Sequence, residues 1–224
     1  MIKLVTLLLL AFAIDDCRSE EDITVEEARR TLSYLASDEM EGREPGNPGN
    51  FIAVSFIRKE FESYGLETHL QTFTYAFRER VGFFRWRTIR IEVMNVVGIL
   101  KGTSDKHVVI GAHMDHLGLD GDGDAYNGAD DNASGTTAIL ELAEAFGKSD
   151  TKPKDTIVFI AFNAEELGLL GSKHYVNNPL LPLDDCKLMI NLDMVGRLRG
   201  TTVTAQGGNL SRSVTQLVDK LDDD

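Results

Sequence analysis

The sequence predicts an α/β fold, a mostly parallel mixed central sheet with helices on both faces. Three observations predict it. His107–Ala112, Thr156–Phe162 and Leu188–Leu192 are short, compact apolar runs without the polar alternation of a half-exposed strand, so each reads as buried on both faces. Segments with helical spacing alternate with them. The 224 residues, 42% hydrophobic, suffice for one sizeable core, and no repeat or low-complexity linker divides them.

In chain order, Leu4–Ala13 is an apolar run behind the positive Lys3, and Ala11-Phe12-Ala13 fits a small-x-small cleavage site. Residues 1–13 are therefore expected to be a signal peptide, and 14–224 a single domain exported from the cytoplasm, secreted or periplasmic. Ten residues are too few to span a bilayer. Cys17 follows a poor lipid-attachment sequence, Ile14-Asp15-Asp16, so no lipid anchor is expected there. Cys17 and Cys186 alone make no disulfide framework.

A first helix is expected near Thr24, where Thr24 and Glu27 match a capping box and Ala28, Leu32 and Leu35 recur at helical spacing. Gly42–Asn50 is a loop. Asn47-Pro48 opens a second helix with Phe51, Val54, Ile57, Phe61 and Tyr64 on one face, and Gly65 ends it. Strands are expected over Thr68–Phe77 and Ile89–Leu100. Ser134–Phe146 reads as a helix with Ile139, Leu142 and Phe146 inward. Leu210–Leu221 has helical spacing as well.

The net charge of −13 gives the chain as a whole no electrostatic reason to seek nucleic acid or anionic lipid. Part of the acidic excess is concentrated between Asp115 and Asp131. The apolar strands are each followed by a histidine or a carboxylate: His113, Asp115 and His116 after the first, Glu165 and Glu166 after the second, Asp193 after the third. Ligands of open α/β sheets bind beyond the carboxyl ends of the strands, so these residues are expected to share one edge. Crowded carboxylates repel, and a divalent cation relieves that. Histidine with carboxylates and no thiolate suits zinc best, with manganese and cobalt as alternatives. Asp130 and Asp131 are indistinguishable on this ground. A rival reading makes Asp120 to Asp131 a calcium loop, but Ala125 stands where its turn needs glycine, and Asp131 where it needs a bidentate Glu. His69, His107 and His174 are assigned ordinary surface or packing roles.

Gly111-Ala112-His113-Met114-Asp115-His116-Leu117-Gly118, Asn127-Gly128-Ala129-Asp130-Asp131-Asn132-Ala133-Ser134-Gly135, Ala164-Glu165-Glu166-Leu167-Gly168 and Asn191-Leu192-Asp193-Met194 closely resemble the M28 family of zinc aminopeptidases. Leu35-Ala36-Ser37-Asp38-Glu39-Met40-Glu41-Gly42-Arg43 is similar to that family's N-terminal region. The resemblance implies a three-layer zinc-exopeptidase fold that removes N-terminal residues from peptides with water activated by two zinc ions. His113 and Asp193 would hold one zinc, Asp131 would bridge, and Glu166 would hold the second. Glu165 would be the general base. Asp115 would accept a hydrogen bond from the His113 imidazole and fix its tautomer. The resemblance also implies a cis Asp131–Asn132 bond. His116 receives no role.

The family uses one further histidine, late in the chain, and none follows His174 here. The expectation is a domain incomplete at its C-terminus, with only Asp131 and Glu166 on the second metal. Two alternatives stay open: a glutaminyl-cyclase-like enzyme using one zinc, and a non-catalytic binding ectodomain on a peptidase scaffold. Peptide is the expected partner, nucleic acid is not, and oligomeric state is undetermined.

Overall fold

The computed structural model describes residues 23–198, 204–207, 215 and 216. The expected signal peptide and Cys17 lie outside these residues, as does nearly all of the expected helix at Leu210–Leu221.

Helix α1 (Val25–Leu35) starts where the sequence places it, with the Thr24 hydroxyl accepting the backbone N–H of Glu27. The second half of the capping box differs. The Glu27 carboxylate accepts from the Thr24 hydroxyl at 2.7 Å. Helix α2 (Pro48–Ser63) is capped by Asn47, whose side chain accepts the N–H of Asn50. Ala53, Val54, Ile57 and Phe61 form its buried face, whereas Phe51 is exposed, contrary to the expected face. Strands β1 (Glu67–Arg80) and β2 (Trp86–Leu100) form a long hairpin. After β3 (His107–His113) come an irregular turn (Ala129–Ala133) and α3 (Ser134–Gly147). β4 (Thr156–Phe162), α4 (Leu170–Asn177) and β5 (Cys186–Asn191) complete the described elements. The sequence reading assigned no helix to α4, whose eight residues are too few for a clear period.

The sheet order is β1-β2-β4-β3-β5. β2 is antiparallel to both neighbours, while β3 is parallel to β4 and to β5. Four of the five strands therefore point the same way, the mostly parallel mixed sheet expected. Successive side chains on a strand face opposite sides. Val108, Ile110 and Ala112 with Ile157, Phe159 and Ala161 pack beneath α1, α2 and α3. Val109, Val158, Ile160 and Phe162 pack on the other side with Tyr175 of α4.

The connection from β3 to β4 runs through α3 on one face. That from β4 to β5 returns past β3 through α4 on the other face. Connections leaving adjacent strands on opposite faces open a crevice at their carboxyl ends, where α/β sheets bind ligands. β3 and β4 end level there, with His113 opposite Phe162.

Candidate metal centre

Four chain segments meet in that crevice: the end of β3, the turn before α3, the turn after β4 and the chain leaving β5. His113 is the last residue of β3 and is buried. Its Nδ1 lies 3.2 Å from the carbonyl of Asp115. A carbonyl only accepts, so Nδ1 carries the proton and Nε2 presents its lone pair to the crevice. Nε2 lies 3.2 Å from Oδ1 of Asp131 and 3.6 Å from Oδ1 of Asp193. A second group joins His116, Asp131 and Glu166, with His116 Nδ1 at 2.8 Å from Glu166 Oε1. Asp131 belongs to both groups. The donors suit zinc, which takes imidazole and carboxylate ligands at about 2.0–2.2 Å. Donor atoms bound tetrahedrally at such lengths stand roughly 3.4 Å apart, close to the spacing around His113.

Folding details place each carboxylate. The Asn132 side chain donates to the carbonyl of Leu192 and accepts the N–H groups of Gly135 and Met194. One buried amide thus ties the turn carrying Asp131 to the chain leaving β5 and brings Asp193 beside it. A Cβ at Gly135 would meet the Leu192 carbonyl oxygen at 2.3 Å, so that close approach requires glycine. The Asp131–Asn132 peptide is cis. Asn163, buried after β4, exchanges side-chain hydrogen bonds with Asn50, and its N–H donates to Asn95. This network aims the Glu165–Glu166 turn.

The Asp115 carboxylate differs from expectation. It is 3.8 Å from the His113 imidazole, whose partner is the Asp115 carbonyl instead. Its oxygens accept the backbone N–H groups of Glu165 and Glu166. Burial raises the Asp115 carboxyl to about 6, against the lowering effect of those hydrogen bonds and of His113. Glu165 reaches within 4.0 Å of His113 Nε2. Its carboxyl is raised above the ordinary range, first by burial, then by the negative charges of Glu166, Asp193 and Asp131, with His113 opposing.

Peptidase family M28 matches residues 95–224. The chain belongs to that family. Leupeptin-inactivating enzyme 1 of Streptomyces exfoliatus is 30% identical over 168 residues, covering 74% of this chain and 34% of the relative. Aminopeptidase YwaD of Bacillus subtilis is 44% identical over 106 residues, covering 46% and 22%. A Zn-dependent exopeptidase from Parabacteroides distasonis superposes with a TM-score of 0.65 at 23% identity, covering 80% of this chain and 64% of that one. A glutaminyl cyclase of Porphyromonas gingivalis superposes at 0.62 and 19%, covering 79% and 61%. At these identities the superpositions show the zinc-exopeptidase fold. The chain spans about a third of the length of the curated relatives it matches.

Within the M28 centre, the choice between Asp130 and Asp131 is geometric. Asp131 lies in both donor groups, while Asp130 turns toward Arg197, 3.8 Å away. Asp120 accepts the N–H groups of Asp122 and Asp124 and closes its own turn, while Asp131 stands with His113 and His116 in the two donor groups. His69 pairs with Glu67, and His174 stacks on Phe73.

Sequence reasoning missed two residues. His116 was left without a role and stands in the second donor group. Its signal was its place three residues beyond His113, in the loop that leaves β3. Arg43 is buried at 1% exposure and donates to the carbonyls of Met114, Leu35, Asn127 and Gly128. It braces the segments leading to Asp115 and Asp131. Burial pulls its pKa down to about 10, opposed by those two aspartates. The motif ending in Arg43 was visible; burial of its guanidinium was not.

Proposed function

We propose that this chain is the catalytic part of a di-zinc aminopeptidase acting on peptides outside the cytoplasm. The observation that carries the reading is the sharing of Asp131 between the His113–Asp193 group and the His116–Glu166 group. One carboxylate shared between two donor sets suits two neighbouring ions. Lys3 and the Leu4–Ala13 run support export.

Zinc, when bound, supplies Lewis acidity that polarises the scissile carbonyl and lowers the pKa of water. The chain's own residues do the rest. His113 and Asp193 hold one position, and Glu166 with His116 holds the other. Glu165 accepts a proton from the attacking water and returns it to the departing amine. Its raised pKa suits that task, because a base must also act as an acid. Asp115 holds the Glu165 and Glu166 backbone in place.

The test is zinc titration into metal-free protein, following release of leucine from a chromogenic amide. Turnover that saturates with the second equivalent is expected. Glu165→Gln should abolish turnover and leave zinc content unchanged. Saturation at one equivalent, with cyclisation of N-terminal glutamine in place of hydrolysis, would replace the peptidase reading by a cyclase. Zinc binding without either reaction would leave a non-catalytic ectodomain.

A further inference from the structure

The β1–β2 hairpin is longer than the sheet that supports it. β2 pairs with β4 only from Val96 to Leu100, whereas β1 and β2 pair onward from Gln71 opposite Asn95 to Arg80 opposite Trp86. Ten further residues on each strand, at ~3.3 Å each, carry the hairpin roughly 33 Å beyond the sheet. Its base packs on the body, where Phe73 stacks on His174 and Val93 is buried, and the outer half, from Ala76 opposite Arg90, forms the exposed arm. It leaves the carboxyl edge of the sheet, the same edge as the metal centre.

The tip of the arm is both apolar and basic. Phe83, Phe84 and Trp86 are 81%, 87% and 60% exposed, and Val81 is exposed beside them. Residues 78–90 carry Arg78, Arg80, Arg85, Arg87 and Arg90 against Glu79 alone, a local +4 in a chain of −13. Arg87 pairs with Glu79. Arg80 donates to the carbonyls of Gly82 and Phe83 and lies over the Phe83 ring, which gives the tip a defined shape. A bare two-stranded ribbon with exposed aromatics is marginal in water and gains by being covered.

We propose that this arm docks on an anionic lipid surface, with Phe83, Phe84 and Trp86 at the bilayer interface and the arginines on headgroup phosphates. Aromatic side chains with an apolar body settle at that interface, and each arginine near an anionic leaflet adds attraction. The net charge of −13 argues against such a surface only as an average over body and arm. A body held back by the exposed outer half of the arm, ~16 Å from Ala76 to Arg80, is about two Debye lengths from the bilayer, since that length is about 8 Å at physiological salt. A tip-to-tip contact with a second copy would instead bring two +4 clusters together. Docking would set the crevice facing the membrane, with peptide at that surface as substrate.

The test is co-sedimentation of the full chain with phosphatidylcholine vesicles, with and without phosphatidylglycerol. Sedimentation is expected only with the anionic vesicles, and should fade as added salt shortens the Debye length from about 10 to about 3 Å. Substituting Arg78→Gln, Arg85→Gln and Arg90→Gln should weaken partition about fivefold per charge removed. Phe83→Ser with Phe84→Ser should abolish it. All five side chains are exposed, and unchanged thermal melts would show the variants folded. Leu4–Ala13 is present in every variant, so the differences between proteins read the arm alone. The proposal is overturned by equal binding to neutral vesicles, by no binding, or by variants that bind like the parent. A dimer in vesicle-free sedimentation that disappears with the same substitutions would overturn it in favour of self-association.

Discussion

Asp115 holds the backbone of Glu166: one carboxylate oxygen accepts the Glu166 N–H at 3.2 Å, and the other accepts that of Glu165 at 3.1 Å. A residue at the end of one strand thereby sets the turn after the neighbouring strand. The expected partner, the His113 ring, is served by the Asp115 carbonyl instead. Asp115→Asn keeps one accepting oxygen and turns the other position into a donor facing a donor. We expect kcat to fall about 10- to 100-fold, the usual cost of disturbing groups that orient metal ligands, with the far-UV spectrum unchanged. A variant with full kcat would show that the Glu turn holds itself.

His116 supplies the imidazole of the second donor group, a role the sequence reading did not assign it. His116→Ala should lower zinc content from two equivalents to one, read by metal analysis after dialysis. Asp131→Ala should lose both. Two tightly held zinc ions in His116→Ala would place the second group's histidine elsewhere.

Arg43 satisfies four carbonyls with one planar fork, those of Met114 and Leu35 in the interior and those of Asn127 and Gly128 half-buried. A lysine ammonium cannot reproduce that geometry. Arg43→Lys is expected to destabilise the fold by about 2–4 kcal/mol, through carbonyls left without donors. Urea denaturation measures it. Zinc affinity should fall as well, because the Asn127–Gly128 segment leads directly to Asp131.

Glu141 in α3 is buried, and its Oε2 has no hydrogen-bond partner among the described residues. Burial and then Glu144 raise its carboxyl to about 7, while Thr31 opposes weakly at 3.4 Å. The folded state therefore holds the proton more tightly than the unfolded state, and stability falls as pH rises from about 4.5 toward 7. Glu141→Gln removes the charge but not the shape. Thermal melts at pH 8 should show it more stable by ~2 kcal/mol, with the difference vanishing below pH 5. An unchanged difference across that range would mean that Glu141 is not the titrating group.

His113, Glu165, Glu166 and Asp193 were legible because each stands at or just beyond the carboxyl end of an apolar strand, and in open sheets of this class ligands bind beyond those ends. Thr24, Asn47 and Gly65 marked helix ends by local chemistry that needs no tertiary partner. Phe51 misled, since helical spacing identifies a face without saying how wide the covered stripe is. The net charge, which gave the chain as a whole no reason to seek nucleic acid or anionic lipid, did not register the arm, because net charge averages over distance.

By itself, the sequence determined the strand and helix periods, the strand-end positions of the chemistry and the membership in family M28. All of these follow from local pattern or from ordered motifs. Only the tertiary structure decided which carbonyls Arg43 braces, that Asp115 grips the Glu turn, that His116 joins Asp131 and Glu166, and that the hairpin outruns its sheet. Each depends on residues distant in the chain coming within hydrogen-bonding range, or on where one strand ends relative to another. Pairing register and burial set those distances, and neither is written in any single segment.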